Sequence, residues 1–236
     1  MLDRSLIPKT SAKVASRFLT WWAWGLLILF PISFLSLVDV VGKNGRLVPT
    51  PFVLMLNHTL MFMLLWGILR RAGWRLSDIG WRVSGGWSGL LLQVSVGSAA
   101  GVVLYFLDRF ATGPLSERIC NALHWTYAGI PHAQPKPSLA LFVGVIVAST
   151  LFAGLVEESV YRGYAITVLR QKLRPASAVM VTSLFFGALH LGFFGAQGMV
   201  ANCFDGLLLA GLYLWRQSLL PPVLAHAIAN ALAFLS

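Results

Sequence analysis

Between Arg174 and Arg216 the chain reads PASAVMVTSLFFGALHLGFFGAQGMVANCFDGLLLAGLYLW (175–215), forty-one residues in which Asp205 is the only charge. A helix needs roughly 20 apolar residues to cross a bilayer core, so this stretch is long enough for two crossings. The glycine-rich segment Gly192–Gly198 is the natural break between them. It divides the stretch into spans near Ala176–Phe193 and Met199–Trp215. Working outward, further uncharged runs of span length lie at Phe18–Leu37, Leu47–Leu69, Val83–Leu107 and Pro137–Val156. A last one starts near Leu219, with Pro221 and Pro222 in its first turn, where a missing N–H costs little. The expectation is an all-α, polytopic transmembrane helix bundle of about seven to eight membrane helices, forming a single domain over residues 1–236.

Composition agrees with that expectation. Of 236 residues, 57% are hydrophobic and 11% charged, and the mean hydropathy is +0.75. Soluble domains carry about 25% charged residues, so this chain cannot clothe itself for water. Its surroundings should be membrane lipid.

The net charge of +10 follows from topology. Arg4, Lys9, Lys13 and Arg17 precede the first span. Arg70, Arg71, Arg75 and Arg82 follow the second, and Arg162, Arg170, Lys172 and Arg174 follow the fourth. With the N-terminus cytoplasmic, most of the 18 basic residues lie inside, as the positive-inside rule requires. This suits an integral, multi-pass protein of the cell membrane with its N-terminus in the cytoplasm. The first apolar stretch is too long for a cleavable signal. Nucleic acid is not an expected partner, because the basic residues are spread over several loops and not gathered in one stripe.

The outer loop Asp108–Ser138 contains four prolines and reads as irregular. The inner segment Arg70–Gly86 interleaves Trp74 and Trp81 with arginines, a mix suited to the headgroup level. Cys120 and Cys203 allow at most one disulfide.

Ionisable residues within membrane helices are costly, and are functional candidates for that reason. They concentrate in the second half of the chain. The fourth span ends in Glu157-Glu158-Ser159-Val160-Tyr161-Arg162. Glu158 and Arg162 are i,i+4 and share a helix face as an ion pair. Glu157 is rotated about 100° from Glu158 and is free for other work. His226 and Asn230 repeat the i,i+4 spacing on the last helix. The polar run Arg170–Pro175 is the turn between spans four and five, and it sets Glu157 level with His190 in an antiparallel pair. His58, beside Asn57 in the second span, reads as a packing residue, and Asp205 as a residue bonded to a neighbouring helix.

Glu157-Glu158-x-x-x-Arg162, Phe186-x-x-x-His190 and His226-x-x-x-Asn230 together resemble the three motifs of the CPBP family. This family comprises type II CAAX prenyl proteases and bacteriocin-processing or immunity proteins, and is also called the Abi family. The resemblance runs from about Leu139 to the C-terminus, so residues 139–236 are the expected catalytic core. It implies an intramembrane endopeptidase in which Glu157, helped by His190, activates the attacking water. His226 and Asn230 would stabilise the oxyanion, while Glu158 and Arg162 support the Glu157 helix. The substrate implied is a membrane-associated protein or peptide, prenylated and CAAX-like or carrying a leader.

No cofactor is required in a glutamate-type mechanism. A metalloendopeptidase would instead place zinc on Glu157, His190 and His226. The chain has no HExxH pair, and the reading leans to the metal-independent form. Two readings from other classes are a non-catalytic immunity or scaffold protein and a proton-coupled transporter. The transporter is disfavoured because the charged residues lie in one half of the chain.

Overall fold

A computed structural model describes residues 12–44, 50–83, 85–128, 143–144 and 147–236. The expected start of the fourth span at Pro137 and the basic cluster up to Lys9 lie outside them. The described chain is helical, with no strand among the described residues: α1 (Ala12–Asn44), α2 (Thr50–Arg71), α3 (Gly86–Ala122), α4 (147–169), α5 (Pro175–Arg216) and α6 (Leu220–Leu235).

Long apolar runs without internal charge form helices because a backbone in lipid must satisfy its own hydrogen bonds. The outward faces are apolar. Trp21 on α1 and Trp87, Leu91, Val103, Phe106 and Phe110 on α3 are exposed. Buried side chains in the interior include Asn57, His58, Glu157, Glu158, Arg162 and His226. Apolar surface of that extent, wrapped around a polar interior, is stable only in lipid.

Three helices among the described residues are long and apolar enough to cross a membrane: Arg17–Ser36, Gly86–Ala122 and Pro175–Arg216. This is fewer than the seven or eight spans expected. Two physical reasons are visible. Helix α6 has only 16 residues, and α4 carries Glu157, Glu158 and Arg162 in its middle.

Helix α5 folds back on itself at Gly195, whose φ of 69° and ψ of −166° lie where only glycine is unstrained. Its two rods then run antiparallel. A Cβ on Gly187 would collide with the Cys203 sulfur, and one on Gly206 would lie 2.9 Å from the Ser183 Cβ. The break falls inside the Gly192–Gly198 segment. Both cysteines are free thiols.

One expectation is corrected. The segment 108–122, expected to be irregular loop, continues α3 as helix. A π-helical turn at Asp108–Thr112 widens the backbone just ahead of Pro114, which then occupies the start of the next helical stretch, where no N–H is needed. The segment after α2 packs against the bundle. Trp74 and Ile79 are buried, and the Trp81 indole N–H donates to Ser159 Oγ at 2.9 Å. Leu219 N–H also donates to Gly80 O at 2.8 Å, so this segment clasps the α5–α6 turn.

Candidate active site

The site is built on the middle of α4. Its residues 153–158 form one α-helical stretch, followed by π-helical turns over Ser159–Ile166. Such turns are frequent at functional sites because they rotate side chains out of the regular register. Here both carboxylates are buried: Glu157 is 3% exposed and Glu158 0%.

Glu158 is the hub of a fixed network. Its Oε1 accepts from Arg162 Nη1 at 2.9 Å, the expected i,i+4 ion pair, and also from His226 Nδ1 at 2.9 Å. The Arg162 Nη2 donates to Gly206 O at 3.2 Å, and its guanidinium lies 4.0 Å from the centre of the Phe186 ring. One buried cation thus ties α4 to both rods of α5, and Glu158 ties α4 to α6. Removing a single partner from such a network leaves an uncompensated buried charge, at about 3–5 kcal/mol.

The α4–α5 hairpin turns where the charges lie. Helix α4 ends at Leu169, and α5 begins at Pro175. Tyr161 and Phe186 meet with ring centres 5.4 Å apart, and the Tyr161 hydroxyl donates to Phe185 O at 3.5 Å. That register carries Glu157 to the level of His190. The Glu157 carboxylate lies within electrostatic reach of both His190 and His226. His190 Nδ1 donates to Phe186 O at 2.8 Å, which leaves Nε2 as its second ring nitrogen. Phe186 packs against the rings of His190 at 4.9 Å and His226 at 5.7 Å, so this one aromatic spaces both imidazoles. Asn230 is half-buried on α6, one turn beyond His226.

Glu157 is not free, as its rotation from Glu158 had suggested. Its Oε1 lies 2.9 Å from His58 Nε2 on α2. His58 was expected to be a packing residue; it is 2% exposed and bonded to the candidate base. Its position in a separate, otherwise apolar helix gave no local spacing by which to connect it to Glu157. The signal present in the sequence was an ionisable residue in a membrane helix, the criterion that singled out the others.

Zinc would need Glu157, His190 and His226 to converge. Among the described residues no three of His, Cys, Asp and Glu form a group able to hold a metal ion. Nδ1 of His226 faces Glu158 and Nδ1 of His190 a carbonyl, which leaves Nε2 of each ring open to a ligand.

Residues 139–232 match the family model described as type II CAAX prenyl endopeptidase Rce1-like. The matched segment holds α4, α5 and nearly all of α6, and with them Glu157, Glu158, Arg162, His190, His226 and Asn230. His58 lies outside it. No curated protein and no solved structure matches the chain.

Proposed function

We propose that the chain is an intramembrane endopeptidase of glutamate type. The observation that carries this reading is a buried carboxylate, Glu157, set beside a second carboxylate whose Oε1 is held by both Arg162 and His226. Two adjacent acids in different surroundings divide the work of structure and of proton transfer. Peptide hydrolysis needs a base for water and donors for the negative charge that develops on the carbonyl oxygen.

In the proposed reaction a water beside Glu157 loses a proton to the carboxylate as its oxygen bonds to the substrate carbonyl carbon. His190 Nε2 orients that water. His226 donates Nδ1–H to Glu158, so in the reacting form it is the imidazolium, whose Nε2–H donates to the oxyanion together with Asn230. The C–N bond then breaks and the leaving amine takes the proton from Glu157. Glu158 and Arg162 touch no reacting atom; they hold α4 and His226 in place. The low dielectric of a buried site strengthens each of these interactions.

The substrate in this reading is a membrane-associated peptide, prenylated and CAAX-like or carrying a leader, cleaved near the cytoplasmic face of the cell membrane. The chain acts as one transmembrane unit with its N-terminus inside and residues 139–236 as its core. The test is a cleavage assay with purified protein on a panel of prenylated and leader peptides, comparing wild type with Glu157→Ala, each with and without a zinc chelator. Cleavage should be abolished in the variant and insensitive to the chelator. Equal processing by the two proteins would remove Glu157 from the mechanism, and chelator-sensitive cleavage would remove the glutamate-type assignment.

A further inference from the structure

The His58 ring is committed at both nitrogens. Nδ1 lies 2.7 Å from Leu54 O, a carbonyl that can only accept, so Nδ1 carries a hydrogen. Nε2 lies 2.9 Å from Glu157 Oε1. That contact also needs one proton. Either an imidazolium donates to a carboxylate, or a carboxylic acid donates to a neutral ring. In both forms the pair holds a single proton. Without it, two lone pairs would face each other at hydrogen-bond distance in a buried site, an arrangement that desolvation makes costly.

The ring is also clamped on its faces. Phe30 and Phe34 of α1 meet it edge-on at 5.3 and 5.9 Å, and Phe30 stacks on Tyr161 of α4 at 5.9 Å. The neighbouring Asn57 accepts from Ser33 Oγ of α1 at 3.0 Å. So α1 and α2, which lie outside the family-matched segment, build a rigid seat for one imidazole against one carboxylate oxygen. The second oxygen, Glu157 Oε2, is buried and has no hydrogen-bond partner among the described residues.

We propose that His58 is a positioning residue for Glu157, holding Oε1 and the proton of the pair so that Oε2 is the oxygen that takes the proton of the attacking water. This rests on the endopeptidase reading. In the reacting form His58 is the imidazolium and Glu157 the carboxylate. A water O–H bond breaks, its proton goes to Oε2, and the hydroxide oxygen bonds to the carbonyl carbon, whose oxygen takes the electron pair. When the C–N bond breaks, the amine receives that proton, and the pair returns to its starting state. His58 exchanges no proton with substrate; it fixes which oxygen does.

The experiment uses the purified full chain and an internally quenched peptide carrying a prenylated C-terminal cysteine motif, with wild type, His58→Ala, His58→Gln and Glu157→Ala. His58→Ala should lose kcat on the order of a hundredfold with KM nearly unchanged. Added imidazole should restore part of the lost kcat. His58→Gln, whose amide can donate to Oε1 but cannot carry the proton, should fall between the two. Wild-type kcat in His58→Ala alongside an inactive Glu157→Ala would overturn the His58 assignment and leave the endopeptidase reading standing. Activity in Glu157→Ala would instead overturn that reading itself. Equal loss in both His58 variants, with no response to imidazole, would make the role structural and also overturn the assignment.

A substrate-free arm uses nitrogen-15 labelled histidine. The ring signals that vanish in His58→Gln should move in Glu157→Gln, and unmoved signals would overturn the contact.

Discussion

Arg162 is buried in the molecule's polar centre, 1% exposed, beside Glu158 at 0%. It donates to Glu158 and to Gly206 O, and its guanidinium carbon lies 4.0 Å from the centre of the Phe186 ring. A buried ion pair of this kind is poor evidence for stability, because desolvating two charges costs about as much as their attraction returns. Its value here is geometric: Glu158 can hold His226 Nδ1 only while Arg162 fixes it. This separates two measurements. Glu158→Ala strands the Arg162 charge and should lower the melting temperature and abolish cleavage. The double change Glu158→Leu with Arg162→Met removes both charges, so thermal unfolding in detergent should return toward wild type. Cleavage should stay absent, because His226 has lost its acceptor. Recovery of both properties in the double variant would show that the network does not position the site.

At the scale of elements, the approach of α6 to α3 decides where His226 stands. Glycines make that approach possible: a Cβ on Gly97 would lie 2.9 Å from Pro221 O, and one on Gly101 2.8 Å from Ala225 O. Gly101→Ala should therefore push α6 outward at the residue preceding His226, at a cost of about 1–3 kcal/mol. The kcat should fall although no polar group changes. Gly67→Ala on α2 meets nothing within 4 Å and should leave unfolding and activity unchanged. Matching kcat values for the two variants would disconnect helix spacing from catalysis.

Elements of this kind were partly legible in the sequence. The glycine run at 192–198 marked the fold-back of α5, and the charges at 170–174 marked the α4–α5 turn, because both signals are local. The i,i+4 pair of Glu158 and Arg162 was legible for the same reason. The continuation of α3 past Asp108 was not, since four prolines suggested a loop and one π-helical turn absorbed the first of them. The seat of Glu157 was not legible either. Its partner stands on α2, and only tertiary packing joins the two.

For the molecule as a whole, the position of Gly195 settles how many walls the site has. One turn before it stands His190; beyond it the second rod returns Gly206 to Arg162. Were α5 straight, its 42 residues would extend about 63 Å at 1.5 Å per residue, and the second rod could not reach Arg162. The fold-back is clamped from outside. Ala196 N–H donates to Tyr127 O at 2.7 Å, and a Cβ on Gly195 would collide with that same carbonyl and lie 2.7 Å from the Ala128 carbonyl carbon. Gly195→Ala therefore meets two penalties at once, a backbone conformation reserved for glycine at about 1–3 kcal/mol and a clash with the segment after α3. Relief requires the 125–128 segment to withdraw or the turn to open, and an opened turn carries His190 and Gly206 apart. The variant should unfold at lower temperature and lose kcat more than KM, since the groups displaced are His190, proposed to orient water, and Gly206, which holds Arg162. Gly211→Ala, on the same rod with nothing within 4 Å, is the matched control and should behave as wild type. If Gly195→Ala retains full kcat with a lowered melting temperature, the hairpin stabilises the bundle without shaping the site, and the wall it contributes is catalytically passive.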